Sequence, residues 1–323
     1  MRSIDQLDYD NIPSVKVATK NLIKSLLRKF YVKPKKYLKY TLRPIYRKFR
    51  IKILKDPVVI YQFVFTEPDS INFGDEITRD IIEKLFNKKV EVHNQIDCKF
   101  DMLGIGSLIH FFNDSVDYKT YVWGSGLIDD KTKPINSNFI FRACRGEYTR
   151  SKLAEKYHNI PMGDPGLLCN LIYKNNIEKT DKIGVIPHLR DEYSNYLNKI
   201  IKKYPEFFKI IPVSQSPEKV ADDIKSCKLI LSSSLHGLVV SDSLGVPNIH
   251  LMLSDNLKSP NHLRGGEYKF RDYYSGVGKK YENFNPRNKD LLDMNEYDKI
   301  IKRYRPLKNL EAIQEALIKA FPY

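Results

Sequence analysis

No apolar run in these 323 residues approaches the roughly 20 residues that a membrane-spanning helix needs. The amino terminus, MRSIDQLDYD, lacks the apolar core of a signal peptide, so a cytoplasmic chain is expected. Cysteine is scarce. The four present (Cys98, Cys144, Cys169, Cys227) are widely spaced with no CxxC pair, and they read as core residues or reduced thiols rather than a disulfide framework. The seven histidines have no ligand-like spacing, so no metal is expected. Beyond residue 55 the chain also lacks a charge of one sign: 38 Lys/Arg stand against 36 Asp/Glu, whereas residues 1–55 hold 16 Lys/Arg and three acids. The formal charge of +15 therefore belongs to an N-terminal segment, which argues against a nucleic-acid groove through the body.

That segment has a pattern of its own. Val15, Ala18, Leu22, Leu26 and Phe30 fall on one helical face, with Lys20, Lys24 and Arg28 opposite, until Pro34 ends the run. From Lys35 to Lys55, Tyr37, Tyr40, Tyr46 and Phe49 interleave with lysines and arginines. A basic amphipathic segment with ring side chains suits an anionic membrane surface; a solvated helix or an oligomer contact is the plainer alternative. Four regions are expected: a basic segment over 1–56, an N-terminal α/β domain over 57–178, a C-terminal α/β domain over 179–290, and terminal helices over 291–323.

The body alternates strand and helix. Strand candidates start at Val58, Lys89, Phe100, Thr120, Asn138, Lys182, Phe208, Leu229 and Ile249, and several empty into Gly/Ser turns ahead of helices, the habit of doubly wound sheets. Asn72-Phe73-Gly74-Asp75 opens one helix, and Asp75 suits its first turn. Arg145 and Arg150 flank another strand-to-helix turn, before a helix expected over Ser151–Tyr157; an arginine fork matches carboxylate or phosphate geometry. The loop from Ser254 to Lys269, with His262, Arg264 and two glycines, has the composition of a mobile lid.

The most informative stretch is Leu229–Pro247, LILSSSLHGLVVSDSLGVP. A buried strand runs into three serines, then His236 at the strand-to-helix turn, and Gly245 closes the helix. In open α/β sheets the ligand crevice lies at the carboxyl ends of strands, where His236 would sit beside helix-start amides that favour an anion.

These residues carry a resemblance. Asn72-Phe73-Gly74-Asp75, Arg145, Gly163-Asp164-Pro165, Gly184 to His188, Ser233 to Gly237 and Lys269 to Tyr273 are similar, in order, to motifs of the polysaccharide pyruvyltransferase family, over about residues 58 to 280. The resemblance implies two Rossmann-like domains facing across a cleft, as in GT-B glycosyltransferases, carrying here a basic helical extension. It implies transfer of the enolpyruvyl group of phosphoenolpyruvate to a sugar hydroxyl pair, as in capsule or exopolysaccharide biosynthesis, on a lipid-linked saccharide. Phosphoenolpyruvate is then a co-substrate, with no cofactor and no metal. By this resemblance Arg145, Ser234, Leu235, His236 and Lys269 hold phosphoenolpyruvate, His236 is catalytic, and Asn72 and Asp75 face the acceptor. Some members have arginine where this chain has Ser234, so a second cation must come from Arg150, Lys269 or Arg271. Asp75 or Asp164 would accept the sugar proton, with Asp164 better suited to holding its turn. The competing readings are a nucleotide-sugar glycosyltransferase of the same shape and an inactive scaffold at the membrane surface.

Overall fold

Short apolar runs form the strands. Val58–Tyr61, Ile183–Ile186 and Leu229–Ser232 are buried at every position, as strands covered on both faces must be. The computed structural model describes residues 56–62, 72–93, 99–131, 134–189, 191, 197, 201–253, 265–286 and 292–323. Residues 1–55, Cys98, most of the helix expected over 193–202, and His262 and Arg264 of the expected lid lie outside them. Pro57–Tyr323 forms one compact unit.

In chain order the first half comprises β1 (Val58–Tyr61), α1 (Phe73–Leu85), β2 (Val90–His93), β3 (Met102–Leu103), α2 (Ile109–Phe112), β4 (Thr120–Trp123), β5 (Phe139–Ala143), α3 (Glu147–Arg150) and α4 (Cys169–Ile172). The second comprises β6 (Ile183–Ile186), β7 (Phe208–Ile210), α5 (Pro217–Lys225), β8 (Leu229–Ser232), α6 (Leu235–Ser243), β9 (Asn248–Leu251), α7 (Tyr268–Gly276) and β10 (Asn283–Phe284), followed by α8 (Met294–Arg303) and α9 (Leu310–Ala320).

The strands form two five-stranded sheets, ordered β2-β1-β3-β4-β5 and β10-β9-β8-β6-β7, and every described pairing is parallel. Counted from its own first strand, each sheet has the same doubly wound order. The order reverses beside β1 in one sheet and beside β6 in the other, so the crevices expected at the carboxyl ends lie between β1 and β3 and between β6 and β8.

Apolar packing joins the halves: Ile77 and Ile81 of α1 pack with Val220 and Ile224 of α5 and with Val240 of α6, and Leu167 packs with Leu235, Leu238 and Phe270. The C-terminal helices divide between the sheets. Tyr297 and Ile300 of α8 pack with Phe208 and Phe284, while α9 returns to the first sheet. There Trp123 Nε1 donates to the Leu317 carbonyl at 2.9 Å, and Phe321 stacks on Phe86 with ring centroids 3.9 Å apart.

One local expectation needs correction. The helix expected over Ser151–Tyr157 starts earlier, as α3 at Glu147, and only the 3-10 turn Glu155–Tyr157 follows. No residue near Gly146 caps α3 with its side chain; Asp272 of α7 accepts from the Thr149 amide instead, so the start signal comes from the other half. The structure adds β10, two residues long and paired with β9, which no sequence run announced. The Gly163–Pro165 turn is a capped 3-10 start: Asp164 Oδ1 accepts from the Gly166 amide at 2.9 Å ahead of Pro165–Leu168.

Candidate active site

Both crevices open into one cavity of about 150 Å³. The first half lines it with Asn72 and Asp75 at the start of α1, and with Ser107 and Leu108 beyond β3. The second half supplies His188 beyond β6, Ser234, Leu235 and His236 at the start of α6, and Lys269 of α7. Six of the seven residues that the sequence nominates thus share one cavity, which two helix N-termini approach. Each such terminus carries the equivalent of about half a positive charge and unsatisfied amides.

The helix starts are built for close approach. Asn72 caps α1: its Oδ1 accepts from the Gly74 amide at 3.2 Å and its Nδ2 donates to Asp75 Oδ2 at 2.8 Å. The Phe73 amide donates to the Val213 carbonyl at 2.9 Å, pinning this start to the second half. A Cβ at Gly74 would sit 2.2 Å from His236 Cδ2, so only glycine lets α1 abut the imidazole. The serines ahead of α6 act locally. Ser233 Oγ donates to Asp191 Oδ2 at 2.6 Å and accepts from the His188 amide at 2.9 Å, while Ser232 Oγ accepts from the Ser234 amide at 3.1 Å. Ser234, the N-cap of α6, makes no side-chain capping bond.

Burial, reinforced by the positive charges of Lys269 and Arg145, lowers the His236 pKa to about 3, which leaves the imidazole neutral. Its Nδ1 is buried without a hydrogen-bond partner among the described residues. Asp75 moves the other way. Burial raises its pKa from 3.8 to about 8, against the Asn72 hydrogen bond and with the help of Glu76. Since the folded chain keeps a proton that the unfolded chain loses, this group's stabilisation is full below about pH 4 and disappears as pH rises through 8. Urea midpoints taken from about pH 5 to about 9 should therefore fall for the native chain and fall less for Asp75→Asn; equal slopes would mean that Asp75 ionises as it does in water.

Arg145 does not line the cavity. It is fully buried, its Nε donating to Asp272 Oδ2 at 2.9 Å, Nη1 to Ser107 Oγ at 2.7 Å and Nη2 to the Leu127 carbonyl at 2.5 Å. It reaches the cavity through Ser107. Of the three other cations, Lys269 lines the cavity, whereas Arg150 pairs with Glu147 at 2.5 Å and Arg271 with Glu267 at 2.7 Å on their own helices. Asp164 lies off the cavity, its pKa raised to about 6 by burial. Sequence reasoning passed over Ser107, His188 and Asp272 as site residues. His188 directly follows a strand at the switch point and was open to discovery; Asp272 sits in a helix with nothing local to mark it as buried.

The chain matches the profile of the polysaccharide pyruvyl transferase family over residues 7–255. It belongs to that family. Asn72, Asp75, Ser234 to His236 and Lys269, which carried the motif resemblance in the sequence, line the cavity. A relative from Acanthamoeba polyphaga mimivirus, an uncharacterized protein, is 27% identical over 257 residues, covering 74% of this chain and 82% of its own. Among solved structures, a functionally uncharacterized protein from Klebsiella pneumoniae is similar at a TM-score of 0.39 with 12% identity, covering 76% of this chain and 99% of its own. Among the described residues no helix is long and apolar enough to cross a membrane.

Proposed function

We propose that this member of the polysaccharide pyruvyl transferase family moves the enolpyruvyl group of phosphoenolpyruvate onto two hydroxyls of a saccharide, leaving a cyclic pyruvate ketal and inorganic phosphate. The observation that carries the reading is the meeting of His236, Lys269 and the α6 start in one cavity with Asp75 and the α1 start. Phosphoenolpyruvate presents a phosphate and a carboxylate to these cationic and amide groups. Burial, with the positive charges of Lys269 and Arg145 adding to it, holds the imidazole neutral; the incoming anion offsets those charges, so His236 gains basicity as it binds.

The methylene carbon takes a proton, delivered by His236, and the adjacent carbon becomes oxocarbenium-like. One sugar hydroxyl attacks that carbon and returns a proton to His236, while the protonated Asp75 donates a hydrogen bond to the acceptor. The second hydroxyl attacks the same carbon, the bond to the phosphate oxygen breaks, and phosphate departs with the remaining proton. Two hydroxyl protons are consumed, one in the new methyl group and one on phosphate. No cofactor enters this scheme.

In this reading the halves act as a GT-B-like pair around the cleft. The setting is capsule or exopolysaccharide assembly at the cytoplasmic face of a membrane, with residues 1–55 on the lipid surface and a lipid-linked acceptor.

The direct assay is phosphate release that requires both phosphoenolpyruvate and a saccharide. His236→Ala is expected to lower kcat by about 10²- to 10⁴-fold, the range for loss of a general acid. Undiminished turnover in that variant would remove His236 from the chemistry, and turnover of a nucleotide sugar in place of phosphoenolpyruvate would overturn the reading.

A further inference from the structure

The second half carries another cavity, of about 430 Å³, which shares no lining residue with the first. It lies at the far ends of the same two helices. α6 and α7 begin at the first cavity, with His236 and Lys269; Tyr274 and Val277, at the end of α7, line the second, and Asp242, near the end of α6, is bonded to its wall. Gly278, at φ +68°, ends α7 in the left-handed conformation that favours glycine and brings Lys279 and Lys280 to the cavity. Pro306 cannot continue α8, so residues 304–309 border the cavity as an open connection to α9.

Beyond residue 55 the chain is nearly neutral, yet this cavity is lined by five cations (Lys279, Lys280, Arg303, Arg305 and Lys308) and one acid, Glu282. Two of the five are paired. Lys279 Nζ donates to Asp242 Oδ1 at 2.6 Å, and Arg303 meets Glu282 at 2.9 Å in an exposed pair that an incoming anion can break cheaply. Lys280, Arg305 and Lys308 make no ion pair among the described residues; Arg305 Nη1 donates to the carbonyls of Lys302 and Tyr304. A basic run is usually a solvated face. Here the cations come from three separate stretches around a concavity, and one is fixed from behind. The fully buried Asp242 holds Lys279 while also accepting from Tyr273 Oη at 2.8 Å and Asn248 Nδ2 at 2.7 Å, which leaves Lys279 two ammonium donors to offer.

Three uncompensated cations exceed the charge of one phosphoryl group, about −1.5 to −2 at pH 7, and suit two. Ile249, Val277, Ile300 and Leu307 add an apolar part that an inorganic ion would leave uncovered. We propose that this cavity binds an organic diphosphate, with Lys279, Lys280, Arg305 and Lys308 on the phosphoryl groups and the body of the ligand against the apolar part. The site stands whether or not the first cavity transfers pyruvyl groups.

Calorimetric titration of the full-length chain tests this. Uridine diphosphate and geranyl diphosphate share the charged end and differ in the body, so the tighter of the two identifies the kind of body. At least one should bind about tenfold more tightly than inorganic pyrophosphate, because only an organic ligand covers the apolar part. The double variant Lys280→Gln/Lys308→Gln, which alters two exposed side chains, should weaken that binding about tenfold and leave phosphoenolpyruvate binding within about twofold. Lys269→Gln, in the first cavity, should do the reverse. Absence of diphosphate binding overturns the proposal, as does pyrophosphate binding as tightly as both organic ligands. So does binding that survives in the double variant and is lost in Lys269→Gln, which would place it in the first cavity. If phosphoenolpyruvate binds to none of the proteins, the pyruvyl-transfer reading fails alone, and the diphosphate comparison still decides the second site.

Discussion

Replacing Asp272 with alanine should cost about 3–5 kcal/mol of stability, because it leaves a guanidinium buried without its counter-charge. Asp272 and Arg145 are both 0% exposed. The carboxylate accepts Arg145 Nε at 2.9 Å, the Thr149 amide at 2.8 Å and Thr149 Oγ1 at 2.7 Å, so one side chain of the second half holds the whole β5–α3 turn of the first. The two backbones meet closely around the pair: a Cβ at Gly146 would fall 1.7 Å from the Asp272 carbonyl oxygen, and one at Gly276 would fall 2.2 Å from that of Arg145. Asp272→Asn keeps the shape and an acceptor for Thr149, and should lose less than the alanine variant. Urea unfolding of the three proteins checks the order. A loss below about 1 kcal/mol for Asp272→Ala would mean that the arginine finds water or another partner.

The second large effect is expected at Gly74. A methyl group there must displace the His236 ring, whose Cδ2 and Cγ would lie 2.2 and 2.3 Å away, or tilt the start of α1. Overpacking of this kind costs about 1–3 kcal/mol. The larger consequence is catalytic, because moving the imidazole by about 1 Å can lower a rate on the order of 100-fold. Gly74→Ala should therefore remain folded by circular dichroism and lose most phosphate release. Native turnover in that variant would show that His236 can sit elsewhere and still work.

Legibility in the sequence followed the range of the forces involved. Strands such as β6 and β8 are readable because all four residues of each are buried, which demands an apolar run whatever the neighbours are. The position of His236 follows from the same logic, since a strand that ends in small polar residues before a helix presents its turn to the crevice. The environment of Arg145 was not readable. Its carboxylate partner lies 127 positions away, and nothing around Asp272 distinguishes a buried acid from an exposed one on an amphipathic helix. The start of α3 is obscured for the same reason, and β10 owes its pairing with β9 to tertiary placement rather than to propensity.

The return of α9 has a consequence for anyone dividing the protein. With Leu317 accepting from Trp123 and Phe321 stacked on Phe86, the first half is discontinuous along the chain, and the second is threaded into it as an insertion. A clone ending near residue 178 would omit the helix that covers Trp123. A workable split should instead pair residues 57–178 with a separate peptide spanning 307–323, and recovery of soluble first half on adding that peptide would measure how firmly the clasp is held.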